Sequence, residues 1–258
     1  MSASENFKTN FEDRRNGKIA IVELNLLQPN NTFNLPLLQE FLKLMEELTV
    51  SADAILVTSA HAKFFSNGLD GKSLLEADTE TRLKTINLMT RAYSRLIALQ
   101  KPWLVEITGY AMAGGAVISS AADYRFMLAG SGRIGFSEMM VGLPLPMSYI
   151  HGLHRIVHPS SVRYLIEGNA YKPEDALGIG LLDGVAESSE KLRSMCLKKI
   201  DALLRFEQES FLATRNAYRR MIIRDIAEDE EDDLKMSAEL VKQPVFERAL
   251  RNIAGKNA

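Results

Sequence analysis

The chain has 258 residues, 46% of them hydrophobic and 25% charged, with a formal net charge of -2. That balance fits one large globular domain with a substantial core, and the near-zero charge excludes a global field for nucleic acid or an anionic membrane. A single cysteine, Cys196, excludes an intramolecular disulfide, no apolar run reaches the ~20 residues that span a bilayer, and the stretch from Met1 to Lys18 has no apolar signal core, so a cytoplasmic location is expected.

Residues Lys18 to Leu24 alternate and are rich in Ile and Val; with Phe7 to Phe11 before them and Arg15-Asn16-Gly17 between, a β-hairpin is predicted. After the loop Pro29-Asn30-Asn31-Thr32, the residues Leu35, Leu38, Phe41, Leu42, Met45 and Leu48 recur at helical spacing and predict a core-facing helix to about Val50. Ala54 to Thr58 is a short apolar strand that runs into an unusually aromatic loop, Ser59 to Asp70, of the kind that lines a site. Thr79 to Gln100 is amphipathic through Leu83, Ile86, Met89, Tyr93 and Ile97, and Pro102 stops it before the strand Trp103 to Ile107.

Thr108 to Asp123 follows, almost all small residues, and reads as strand, tight turn and helix. Gly109, Gly114 and Gly115 let the backbone turn and come close to another segment, and Ala116 to Ala122 start the helix. The first amides of a helix lack partners within it and carry the positive end of its dipole, so Gly114 and Gly115 offer a site for a phosphate or a developing oxyanion. The same residues also suit simple close packing of helix on sheet, and both readings stand on these residues alone. Tyr124 to Ala129 is a further strand, so the middle of the chain alternates β and α; the fold class is α/β.

Ile134 to Leu145 holds a lone carboxylate, Glu138, among Phe136, Met139, Met140 and Val141. Beyond Met147 the strand signal is confined to Leu181 to Val185, and long helices are predicted over Leu192 to Leu204 and Glu207 to Val241. The acidic run Glu228 to Asp233 reads as a solvated helix face. Gly71-Lys72-Ser73 lacks the glycine that a phosphate-binding P-loop needs five residues earlier, where Ser66 stands. His151, His154 and His158 would spread about 10 Å along a helix with no carboxylate among them, so no metal site is expected. Cys196 reads as an inert helix cysteine.

Three segments in order resemble the enoyl-CoA hydratase/isomerase (crotonase) family: Lys63 to Asp70, Gly109 to Gly115, and Ile134 to Pro144. Tyr171 to Leu181 is similar to that family's exit from its core, and the resemblance runs from about Phe11 to Ile253. It implies a spiral of ββα repeats over residues 1–190, a helical oligomerisation part over 191–258, and assembly as trimers or hexamers. The implied partner is an acyl-CoA, with no cofactor beyond the coenzyme A thioester of the substrate, and with neither nucleic acid nor membrane. The backbone amides of Leu69 and Gly114 match the family's oxyanion-hole donors, with Gly115 beside them, and Glu138 matches a catalytic glutamate. Lys63, Phe65, Ser66, Asn67, Gly68 and Asp70 match the loop around coenzyme A, where Asp70 could equally be a structural cap.

The departures narrow the reaction. The family's hydratases carry a first glutamate three residues beyond the oxyanion glycine, where this chain has Val117, a position expected to lie beside the amide and across from Glu138. The dienoyl-CoA isomerases place aspartates at the Val117 and Pro146 positions. Adding water needs two groups to manage water and the α-carbon proton, whereas one carboxylate can carry a proton from C2 to C4 of a 3-enoyl-CoA. The resemblance therefore implies a Δ3,Δ2-enoyl-CoA isomerase of fatty-acid metabolism. Hydration, decarboxylation or thioester hydrolysis, or a CoA-ester-binding protein with little catalysis, stand as alternatives.

Overall fold

The structure, a computed structural model, describes residues 5–130 and 132–256; the first four residues of the polar N-terminal stretch and the last two of the chain lie outside it. The hairpin forms as β1 (Phe7–Arg14) and β2 (Gly17–Leu24), with Arg14 opposite Gly17. Asn34 then caps α1 (Leu35–Ser51), accepting the Leu37 N–H at 3.0 Å, with Pro36 in the first turn where its missing N–H is not needed. Leu38, Phe41, Leu42, Met45 and Leu48 bury the face the periodicity marks.

Three times the chain then places one strand in each of two sheets. β3 (Ala54–Ser59) and β4 (Phe64–Ser66) precede α2 (Gly71–Glu76) and α3 (Thr79–Ile97); β5 (Trp103–Ile107) and β6 (Tyr110–Met112) precede α4 (Gly114–Ala121); β7 (Tyr124–Leu128) and β8 (Ile134–Gly135) precede a 3₁₀ helix, Glu138–Val141. After α5 (Met147–Ile156) and α6 (Pro159–Ile166), β9 (Ala170–Tyr171) adds to β8, and β10 (Gly184–Ala186) follows α7 (Pro173–Gly178) to join β7. The larger sheet has the order β1-β2-β3-β5-β7-β10 and the smaller one β4-β6-β8-β9. This is the α/β spiral of strand pairs and helices that the resemblance implies.

Strand β3 is buried on both faces because both are covered. Ile55 and Val57 join the main core with α1, α3 and α4, while Ala54 and Leu56 face α8 (Ser189–Leu204). From α8, Leu192, Cys196, Ile200 and Leu203 pack on Leu104 and Phe126, each large aliphatic contributing on the order of 2 kcal/mol by burial. The 190/191 boundary read from the sequence falls inside the first turn of α8, which is a layer of the main fold. Cys196 is fully buried there, and burial pushes its thiol far up, in keeping with an inert cysteine.

Several elements differ from expectation. The aromatic loop contains β4 and ends at Asp70, whose carboxylate caps α2, a helix too short for periodicity to signal. The expected strand Leu181 to Val185 begins only at Gly184, because the Leu181 and Leu182 amides turn back to the Ala176 carbonyl at the end of α7. The sequence did not mark α5, α6 or α10 (Pro244–Lys256), whereas α7 falls in the Tyr171 to Leu181 segment, where the resemblance implies a helix followed by a strand. The acidic run is only partly solvated: Asp229 pairs with His151 at 2.6 Å, Glu230 with Arg91 at 2.9 Å, and Asp233 is 2% exposed. These residues lie on α9 (Gln208–Leu240), which packs along α5 and α3.

Two buried arginines join α9 to the sheet. Arg215 donates to both Asp123 oxygens at 2.9 and 2.8 Å, Arg219 pairs with Asp123 at 2.7 Å, and the Trp103 N–H donates to Asp123 as well. Burial alone would raise the Asp123 carboxyl; Arg219 and Arg215 outweigh it and hold it below its ordinary value. Asp123→Ala strands both guanidiniums, so a loss on the order of 3 to 5 kcal/mol is expected by urea denaturation at pH 7. Because the folded-state value is depressed, the stability that depends on this carboxylate is present above its unfolded value and disappears as pH falls through the folded one, so the gap between wild type and Asp123→Ala should narrow in acid.

Candidate active site

The sharp approach between the β4–α2 loop and the start of α4 positions the site. Gly68 has φ +79°, and a Cβ there would lie 2.4 Å from the Gly114 nitrogen; one on Gly115 would lie 2.0 Å from the Ser66 carbonyl oxygen. Only glycine allows this contact, and it brings Leu69 beside Gly114. Ala113 caps α4 at φ 48°, ψ -126°, a strained conformation for a residue with a Cβ, on the order of 1 to 3 kcal/mol. Among the described residues, neither the Leu69 nor the Gly114 N–H finds an acceptor, and both residues line one cavity of about 220 Å³. The two free amides carry the partial positive charge of a helix start and a turn, and suit an oxygen that gains negative charge.

Glu138, the first residue of the 3₁₀ helix, lines the same cavity. It is 8% exposed, and its Oε2 is buried with no hydrogen-bond partner among the described residues. Desolvation pushes its carboxyl up to about 7, and the only opposing influence is its own backbone N–H. The apolar surroundings are not the sequence neighbours: Met139 and Met140 are exposed, and the wall is made by Leu74, Ile86, Met89, Leu143, Pro144 and Leu250. Leu250 comes from α10, which packs on α2 and on the 3₁₀ helix.

Tyr149, Thr90 and Ser237, none of them expected at the site, line the cavity along with Asn30, Thr32 and Ser137. Tyr149 on α5 is 3% exposed, edge-on to Tyr93 with ring centroids 5.3 Å apart. Burial first, and then the Glu138 charge, hold its hydroxyl protonated well above the ordinary range. The Thr90 and Ser237 hydroxyls are turned to the carbonyls of Ile86 and Asp233, at 3.3 and 3.0 Å. No pattern in the sequence marks Tyr149, since α5 itself gave no signal.

The loop residues divide by role. Asn67 lines the cavity, and its buried Oδ1 has no partner among the described residues. Phe65 and Ser66 are fully buried, with the Ser66 hydroxyl accepting the Gly68 N–H at 3.0 Å, so together with Gly68 and Gly115 they form the scaffold beneath the site. The Asp70 carboxylate accepts from the Ser73 N–H at 2.7 Å and the Thr32 hydroxyl at 3.1 Å, which makes it a structural cap. Lys63 is exposed, its ammonium 5.4 Å from the Phe64 ring and 5.9 Å from the Tyr110 ring. Val117 departs from expectation: it is fully buried in the core and is not among the lining residues, so a carboxylate at that position would be buried beneath the α4 turn.

Residues 14–255 match the family model described as enoyl-CoA hydratase/isomerase. The chain is 32% identical over 146 residues to the peroxisomal enoyl-CoA delta isomerase 2 of Arabidopsis thaliana, covering 54% of this chain and 60% of that protein. It is 28% identical over 183 residues to the short-chain-enoyl-CoA hydratase of Clostridium acetobutylicum, covering 70% of each. Among solved structures, the human mitochondrial delta3-delta2-enoyl-CoA isomerase superposes with a TM-score of 0.86 at 20% identity, over 96% of this chain and 97% of that one. An enoyl-CoA hydratase from Bacillus halodurans gives 0.82 at 19% identity, over 95% and 99%. At these identities the two structures show a shared fold.

The raised Glu138 carboxyl has a consequence for stability. The folded state holds the proton more tightly than the unfolded chain, so this group's contribution is full below about 4.5 and lost as pH rises to about 7. Glu138→Gln keeps a neutral side chain at all pH values. It should match wild type near pH 4.5 and exceed it by about 3 kcal/mol at pH 8, measured by urea denaturation at both values.

Proposed function

The chain belongs to the enoyl-CoA hydratase/isomerase family, and from that we propose that it is a Δ3,Δ2-enoyl-CoA isomerase acting with a single carboxylate. The observation that carries this reading is the Glu138 Oε2, buried without a hydrogen-bond donor in the cavity that two free amides also line. A base that takes its proton from carbon meets no hydrogen-bond donor in the ground state, so an unpartnered carboxylate oxygen is what such chemistry calls for. Burial, which pushes its carboxyl up to about 7, places Glu138 where proton affinity and base strength are balanced near neutral pH.

In the proposed reaction the thioester oxygen of a 3-enoyl-CoA accepts from the Leu69 and Gly114 amides. Glu138 removes a proton from C2, and the electron pair is delocalised through the carbonyl to that oxygen as a dienolate. The same proton then returns from Glu138 to C4, leaving the double bond between C2 and C3 and the carboxylate regenerated. Each preorganised amide lowers the barrier by ~3 kcal/mol, since charge on the oxygen grows in the transition state. The shift involves no change of redox state, so no cofactor is needed beyond the coenzyme A of the substrate. The apolar wall of Leu74, Ile86, Leu143 and Leu250 suits the acyl chain, and Lys63 with its aromatic neighbours suits the coenzyme A end. Trimers or hexamers of the chain are the proposed assembly, supported by exposed Phe206, Tyr218 and Met221.

Glu138→Gln should lower isomerisation of a 3-enoyl-CoA at least ~100-fold while acyl-CoA affinity by calorimetry stays close to wild type. The wild-type kcat/KM should rise with pH through a limb at about 7, the carboxylate being the active form. Turnover unchanged in Glu138→Gln, or wild-type hydration of crotonyl-CoA faster than isomerisation, would overturn the reading.

A further inference from the structure

Aspartates at four-residue spacing on α9 meet α5 along its length. Asp225 pairs with Arg155 at 3.2 Å and Asp229 with His151 at 2.6 Å. Asp233 accepts from the Met147 N–H at 2.8 Å, the Ser148 N–H at 3.1 Å and the Ser148 hydroxyl at 2.9 Å. The helices run antiparallel, and the last rung lies nearest the cavity: Ser237, one turn beyond Asp233, and Tyr149, one residue beyond Ser148, both line it.

That last rung is unlike the other two. Asp233 is 2% exposed and Ser148 1%, whereas the aspartates of the other two pairs remain partly open to solvent. A carboxylate so buried is tolerated because both of its oxygens accept hydrogen bonds and because it sits at the positive end of α5. It also supplies what α5 lacks locally, for the residue before its first turn is Pro146, which offers no capping side chain.

We propose that Asp233 is a positioning residue for the Glu138 cavity: from α9 it fixes the first turn of α5, and with it Pro146 and Tyr149, the wall that keeps water from the Glu138 carboxyl group. The proposal rests on the reading of Glu138 as the base. Removing the Asp233 carboxylate leaves the Met147 and Ser148 N–H groups without their acceptor, and the wall loosens. Water then reaches Glu138 and its carboxyl returns toward an ordinary value. Among the described residues, Tyr149 on α5 is the titratable group that shares the cavity with Glu138, and behind it stands Tyr93 on α3; burial holds both neutral. On α10, which packs against the 3₁₀ helix, Glu247 and Arg251 pair with each other at 2.6 Å at the surface.

The test is the titration of the Glu138 carboxyl carbon by NMR with ¹³C-labelled glutamate, the signal assigned by its loss in Glu138→Gln. It is run for wild type, Asp233→Ala, Asp233→Asn and Asp229→Asn, with isomerisation measured alongside. Wild type should show a midpoint near 7. Asp233→Ala should move it down by at least ~1 pH unit and lower kcat at least about tenfold with little change in KM. Asp233→Asn, which keeps one oxygen acceptor, should fall between the two. Asp229→Asn breaks a rung one turn farther away and should melt earlier without moving the midpoint. An Asp233→Ala protein that melts earlier yet keeps the wild-type midpoint and kcat overturns the proposal, and if that variant does not fold, Asp233→Asn decides by the same comparison. A wild type that does not isomerise overturns the proposed reaction alone, since the titration needs no turnover.

Discussion

The contact on which the site depends is the approach of Gly68 to Gly114. It is closer than any side chain permits, since a Cβ on Gly68 would fall 2.8 Å from the Gly114 Cα as well as 2.4 Å from its nitrogen. Two neighbouring strands of the smaller sheet feed it, because Gly68 follows β4 and Gly114 follows β6, and β4 and β6 pair in parallel. Buried Asn31 supports the same loop from below, accepting the Leu26 N–H at 2.7 Å and donating to the Phe65 carbonyl at 2.6 Å. The strained Ala113 backbone is tied by its own N–H to the Gly135 carbonyl at 3.0 Å, on the strand that leads to Glu138. The amides and the carboxylate are thus referred to one small sheet, which keeps their separation from depending on mobile loops.

Around that frame the cavity wall is largely apolar, and burying a carboxylate against it opposes stability. An apolar wall raises the Glu138 carboxyl to about 7 only by making its ionised form unfavourable, a penalty the fold carries whenever the group is charged. The offset comes from elsewhere, in particular from two arginines of α9 that grip Asp123 at the far end of α4 and from an α8 face that covers the main sheet. The helix that locks the sheet also supplies Asp233 and Ser237 at the cavity, so stability and site geometry share one element.

Much of the framework was legible in the residues. Periodicity placed the hairpin, α1, β3, α3, β5 and β7, because long apolar stripes and β-branched runs have no other stable use. The glycines of the α4 turn pointed to close approach and to free amides, and the lone Glu138 stood out among apolar neighbours. What sequence could not supply was partnership across distance. Met139 and Met140, apolar neighbours of Glu138 along the chain, face solvent, while its actual wall comes from α2, α3, α10 and the residues before α5. Val117 is near Gly114 in sequence yet turns into the core. An acidic run reads as a solvated face until α5, a helix with no marked pattern, is found lying along it.

The choice between moving a proton and adding water turns on what else in the cavity can handle a proton. The Thr90 and Ser237 hydroxyls are committed to carbonyl oxygens, and Asp233, though close to the cavity, has both oxygens occupied by the first turn of α5. Tyr149 remains, and its burial together with the Glu138 charge keeps it a donor that cannot serve as a base near neutral pH. A water molecule drawn into this space would find one base and no second group to take over the proton at the α carbon. A substrate that carries its own acceptor carbon at C4 needs no second group. On that physical ground the proposed isomerisation needs no ionisable group beyond Glu138, and hydration would require a carboxylate that the core position of Val117 does not provide.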